Sequence, residues 1–112
     1  MVLGTNQQFS WDYSEKSDIL NIHKNGTRTA GSAELGDFTI DFDKDGNVSG
    51  VEVMNAAEFF LSVSITKESL KQMEGAELVI KKKDDYTIIL MKLILQHKKE
   101  IIIPIPAPVV AE

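Results

Sequence analysis

Between Asp37 and Met54 the chain alternates polar and apolar residues with period two, breaks at Asp43-Lys44-Asp45-Gly46, and resumes. Phe38, Ile40 and Phe42 fall on one side of the first run, with Asp37, Thr39, Asp41 and Asp43 on the other. A two-residue period is the signature of an extended strand with one buried face. Asp at the first position of a turn and Gly at its fourth favour a type I turn, and a left-handed Gly46 makes it a three-residue hairpin loop with a bulge. Phe42 is then expected to face Val48. A further bulge at Ser49-Gly50 returns Val51 and Val53 to that face and turns Glu52 to the other. A chain built around such a hairpin is constrained to antiparallel β-structure.

The same twelve residues, Asp41 to Glu52, also satisfy the EF-hand calcium-loop pattern. Asp41, Asp43 and Asp45 occupy positions 1, 3 and 5, Gly46 position 6 and Glu52 position 12. That loop works because helices on both sides bring position 12 back to the ion. Here both flanks have the strand period. On a strand, Glu52 lies on the order of 15 Å from the turn at ~3.3 Å per residue. A structural hairpin is the expected reading; a weak cation site through Asp41, Asp43 and Asp45 is the alternative, ahead of a true EF-hand.

Similar reasoning covers the rest of the chain. Phe9, Trp11 and Tyr13 alternate with polar residues in a first strand, and Asp18–His23 is a second. Asn25-Gly26 signals a two-residue hairpin, with Thr27–Ala33 as a third strand interrupted by Gly31. Glu58–Ile65 is apolar-rich and continues as a strand or a bend. Thr66 reads as an N-cap and Gly75 as a C-terminal stop, so one short helix is expected over 66–74. Ala76–Lys83, Tyr86–His97 and Glu100–Ile105 form a tight antiparallel meander, 76–105. Pro104, Pro106 and Pro108 remove backbone donors, which makes the last strand an edge or ends it there. The tail from Ala107 to Glu112 is expected to be loose or docked on a neighbour. The expectation is a single domain over 1–112: mostly β (α+β), an antiparallel sheet of about seven or eight short strands with hairpin connections and one short helix.

With the hairpin placed, the stretch 11–60 resembles a known family. The order is Asp12-Tyr13, Asp18-Ile19-Leu20-Asn21-Ile22, Gly36-Asp37-Phe38-Thr39-Ile40-Asp41-Phe42-Asp43-Lys44-Asp45-Gly46-Asn47-Val48, and Gly50-Val51-Glu52-Val53-Met54-Asn55-Ala56. It is similar to the family catalogued as domain of unknown function 2283. The resemblance implies a small antiparallel β unit. It implies no activity and carries over no catalytic residue.

Composition excludes several function classes. The net charge is −5, and residues 1–65 hold 10 acids against 4 bases. General nucleic-acid binding needs clustered Lys and Arg, so no nucleic-acid partner is expected. Lys81-Lys82-Lys83 and Lys98-Lys99 are read as solvated strand ends. No apolar run approaches ~20 residues, so no membrane span is expected, and no secretory leader is visible. The chain has no cysteine, which fits a reducing cytoplasm.

Candidate chemistry is sparse. His23 and His97 are far apart in sequence and fall in expected strands, where a shared metal or base role requires them to meet. The serines lack a nucleophile-elbow context, and Gly31–Gly36 lacks the lysine of a phosphate loop. Asp12, Glu15 and Asp18 near Tyr13 read as acids around a turn rather than a pocket. Trp11, Phe59 and Phe60 read as core rather than a stacking platform. No catalytic residue and no cofactor is assigned. The apolar C-terminal strands exceed what a small core covers, so the chain is expected to be a structural or protein-binding domain that self-associates, as a dimer. Cation binding and an uncharacterised enzyme are the alternatives.

Overall fold

A computed structural model of the chain describes residues 2–84 and 86–105. Nine strands among them form two antiparallel sheets. The first contains β1 (Val2–Thr5), β2 (Phe9–Ser14), β3 (Ile19–Lys24), β4 (Gly31–Leu35), β5 (Phe38–Phe42) and β6 (Val48–Met54). Its spatial order is β1-β2-β3-β6-β5-β4. Two three-stranded meanders are thus joined along β3 and β6. Two short helices follow, α1 (Ala56–Leu61) and α2 (Lys67–Lys71). The second sheet is the meander β7 (Gly75–Lys82), β8 (Thr87–Ile94) and β9 (Glu100–Ile105).

The acidic hairpin between β5 and β6 follows from its turn chemistry. Asp43 N donates to Asn47 O at 2.8 Å and Gly46 N to Asp43 O at 3.0 Å, which closes a three-residue loop. Gly46 has φ 81°, a left-handed conformation that a Cβ would disfavour. Phe42 pairs with Val48 and Asp41 with Gly50, so one extra residue is inserted beside Ser49. That bulge puts Val48, Val51 and Val53 on the buried face together, and Glu52 on the opposite one.

The second sheet obeys its alternation strand by strand. Ile89 pairs with Ile105, Met91 with Ile103 and Leu93 with Ile101. Their side chains meet those of β2, β3, β5, β6 and the two helices in one continuous core. Tyr13, Leu20, Ile40, Val53, Phe60 and Leu70 are fully buried there. Each such side chain contributes roughly 1.5–3 kcal/mol of hydrophobic stabilisation relative to exposure. Pro104 sits on the edge strand β9, where a missing donor is tolerated.

Four features differ from the sequence reading. The strand count rises by β1, a four-residue segment held by its partner: Gly4 pairs with Trp11, whose indole ring occupies the place a Cβ on Gly4 would need. Residues 56–61 are helical instead of extended, so there are two short helices. Asn25-Gly26 does turn the chain, with Gly26 at φ 80°, but it joins no hairpin. After it the chain crosses to the far edge of the sheet, and β6 takes the place beside β3. His97 lies in the β8–β9 turn with φ 62°, outside any strand, and Lys98 beside it has φ 58°. The expectations for Pro106, Pro108 and the tail from Ala107 fall outside the described residues.

Candidate functional site

The acidic hairpin does not gather its aspartates. Asp43 Oδ1 accepts from the backbone N–H groups of Asp45 at 2.9 Å and Asn47 at 3.0 Å, so this carboxylate holds the turn. Asp45 is exposed at the tip. Asp41 points from the solvent-side face of the first sheet and is only 9% exposed, with Oδ1 accepting from Ser32 Oγ at 2.7 Å. Glu52 stands down the strand between Thr39 and Asn21. Among the described residues no three His, Cys, Asp or Glu side chains stand close enough to hold a metal ion.

The acids near Tyr13 separate by role. Asp18, in the turn just before β3, has φ 57°. Its Oδ1 accepts from Tyr13 Oη at 2.6 Å and from the backbone N–H of Ala57 at 3.0 Å. Its carbonyl accepts from Ala56 N at 3.0 Å. Asn55 offers no side-chain cap, so Asp18, far upstream in sequence, satisfies the first amides of α1. Burial first, and the Asp18 carboxylate second, push the Tyr13 hydroxyl above the ordinary phenol range. Glu15 instead pairs with Lys71 of α2 at 3.4 Å. Asp12 points away from both, across the sheet.

On that far side the strand register assembles a polar surface. One row across the sheet reads Asp12, Asn21, Glu52, Thr39 and Glu34; the next reads Ser10, His23, Gly50, Asp41 and Ser32. An open groove of about 660 Å³ runs along it, lined by Thr5, Ser10, Asp12, Asn21, His23 and Asp41 among others. Glu52 is held above the ordinary glutamate range by partial burial, then by the charges of Asp41 and Asp12. Gly50 stands between His23 and Asp41 in its row. A Cβ there would lie 3.2 Å from His23 Nδ1 and 3.4 Å from Asp41 Oδ2. His23 and His97 belong to different sheets, and the structure does not bring them into a shared site.

The second sheet presents a different outer face. Its rows read Glu77–Lys92–Ile102, then Val79–Leu90–Pro104, then Lys81–Ile88. Ile102 is 57% exposed. Lys92 is clamped between Glu100 at 3.3 Å and Glu77 at 3.7 Å. Trp11 and Phe60 are core residues, and Phe59 packs edge-on against Phe38 and Phe60 at 5.0 Å from each. No described helix is long and apolar enough to cross a membrane.

The sequence reading placed His23 and Asp41 singly and missed their convergence over Gly50. The only signal for it was the β3–β6–β5 register, which no local pattern encodes.

These features coincide with the segments that relate the chain to others. Residues 11–56 match the family described as "Protein of unknown function (DUF2283)". That span contains Tyr13, Asp18, His23, Asp41, Gly50 and the start of α1. The "Uncharacterized protein MJ0789" of Methanocaldococcus jannaschii is 37% identical over 93 residues, which are 81% of this chain and 78% of that protein. No solved structure matches the chain. On these similarities, the chain belongs to the DUF2283 family of proteins of unknown function.

Proposed function

We propose that this chain is a cytoplasmic, non-enzymatic β domain whose role is protein binding, first of all to a second copy of itself. The observation that carries the reading is the contrast between the two outer sheet faces. The first is mainly polar, with Ile19 and Met54 as an apolar row at one end. The second exposes Ile102 and leaves Val79, Ile88 and Leu90 half-covered beside Pro104. Contiguous apolar surface on a small domain marks an interface.

The occupant that fits is the same face of another chain. On β7, Glu77 and Lys81 point outward on either side of Val79. A two-fold axis near Val79 and Leu90 stacks apolar rows on each other and sets Lys81 of one copy over Glu77 of the other. Closed two-fold pairing is the commonest oligomer geometry, and stacked sheets pack about 10 Å apart with their strands nearly aligned. The absence of cysteine suits a reducing compartment.

Sedimentation equilibrium over a hundredfold concentration range tests the reading. The wild type is expected to dimerise. Ile102→Asp, on an already exposed side chain, is expected to shift it to monomer without lowering its folding stability. A wild type that is monomeric throughout, or a dimer that Ile102→Asp leaves unchanged, overturns it.

A further inference from the structure

The turn after β3 carries a reactive pair of residues, independent of any pairing through the second sheet. Asn25 ties the β1–β2 loop to the end of β3. Its backbone N–H donates to Gln8 O at 2.8 Å. Its Nδ2 donates to Asn6 O at 3.0 Å, and its Oδ1 accepts from Ser10 Oγ at 2.6 Å. The Asn6 carbonyl can only accept, which fixes the amide nitrogen on that side.

Gly26 follows, at φ 80° in the turn closed by Thr27 N donating to Lys24 O at 3.4 Å. The Gly26 N–H has no hydrogen-bond acceptor among the described residues. No atom lies within 4 Å of the place a Cβ on Gly26 would take. A free, uncrowded backbone nitrogen after asparagine is the nucleophile that closes a cyclic imide on the side-chain amide. Only Asn25 among the asparagines precedes glycine; Asn6, Asn21, Asn47 and Asn55 precede residues whose side chains crowd that nitrogen. Asp45-Gly46 has a similar order, but Gly46 N is already donated to Asp43 O at 3.0 Å, and a carboxylate is a poor electrophile.

We propose that Asn25 is a deamidation site gated by its hydrogen bonds to Asn6 and Ser10, and that its conversion unfastens the β1–β2 loop from β3. Gly26 N forms a bond to Asn25 Cγ and gives up its proton. The Cγ–Nδ2 bond breaks, and the nitrogen takes that proton and leaves as ammonia. Water then opens the imide at one carbonyl or the other, which yields aspartate or isoaspartate. Ring closure expels the atom that bonds Asn6 and swings the oxygen off Ser10, so the latch slows the reaction while it holds.

Either product undoes the latch. In aspartate an oxygen stands where Nδ2 donated, and two acceptors then face each other. Isoaspartate inserts an extra backbone atom ahead of Gly26 and displaces Thr27, whose carbonyl holds His23 Nε2 at 3.1 Å. The freed loop leads through Thr5 to Gly4, which lies against Trp11, the one tryptophan of the chain.

Incubation of the full chain at mildly alkaline pH, followed by peptide mapping with mass spectrometry, tests this. A gain of one mass unit is expected at Asn25 and at no other asparagine. Ser10→Ala, which removes one hydrogen bond of the latch, is expected to convert about fivefold faster in the folded chain. In strong urea the wild type is expected to convert faster than when folded and at the same rate as Ser10→Ala. Asn25→Asp, the product itself, is expected to speed amide exchange over Asn6–Phe9 and to red-shift the Trp11 emission. No conversion of folded Asn25, or conversion at another asparagine first, overturns the proposal. So do equal folded and unfolded rates, a folded Ser10→Ala rate equal to wild type, or an Asn25→Asp protein with unchanged exchange and emission.

Discussion

Asp18→Ala is the sharpest test of how the family segment holds together. The substitution removes the acceptor of the Tyr13 hydroxyl at 2.6 Å and of the Ala57 amide at 3.0 Å. Tyr13 is fully buried, so water does not reach its hydroxyl to replace the carboxylate. A hydrogen bond to a charged group contributes about 1.5–3 kcal/mol, and an orphaned buried donor keeps its full desolvation cost. Alanine must also adopt the left-handed backbone at φ 57°, which costs roughly a further 1 kcal/mol where Asp is tolerated. The expected loss is about 3–4 kcal/mol, a large share of the ~5–15 kcal/mol that stabilises a domain of this kind. Urea unfolding, followed by far-ultraviolet circular dichroism, measures it. Three companion variants separate the causes. Asp18→Asn keeps an oxygen and the backbone preference and should cost about 1 kcal/mol. Asp18→Gly relieves only the backbone and should recover roughly 1 kcal/mol relative to Asp18→Ala. Tyr13→Phe should lose about 1 kcal/mol alone and almost nothing in the Asp18→Ala background. An Asp18→Ala protein within 1 kcal/mol of wild type, or an additive pair of substitutions, refutes the staple.

Three further outcomes are expected. Glu52 binds its proton more tightly in the folded chain than in the unfolded one; stability therefore falls as pH rises from the ordinary glutamate range through the raised value and stays reduced above it. Glu52→Gln should stabilise by about 0.2–1 kcal/mol at neutral pH, the range for like charges across strands, with the gain vanishing toward pH 3 in parallel thermal melts. Gly4→Ala places a methyl about where the Trp11 ring lies; overpacking of this kind costs roughly 1–3 kcal/mol, and hydrogen exchange should show the loss first in Val2–Thr5. Asp43→Ala leaves two turn amides without their acceptor, which should cost about 1 kcal/mol because water partly replaces it, read as a lower urea midpoint.

What was legible in the sequence tracks the range of the interaction that decides it. The hairpin at Asp43–Gly46 and the meander from Gly75 to Ile105 are set by turn residues and period-two alternation, which are local, and both were read with their pairing. Helix α1 was not, because Ala56–Leu61 is short and carries only Glu58 as a polar residue, and its capping group is Asp18. Strand β1 depends on Gly4 lying under Trp11. Asn25-Gly26 announces a turn correctly but says nothing of which strand comes next beside β3. The groove is the extreme case: Ser10, His23, Gly50 and Asp41 come from four strands, and only the assembled register puts them in one row.

The seam between the two halves of the large sheet has a kinetic consequence. Every hairpin in the chain closes within a few residues, whereas β3 and β6 meet only after the intervening loop and two strands have been gathered in. Chain closure over that span must precede its reward. Refolding is therefore expected to begin with independent ribbons and to finish as β3 and β6 zip together. The last step also creates the row containing Gly50, so the protein acquires its groove only at the moment its architecture becomes complete.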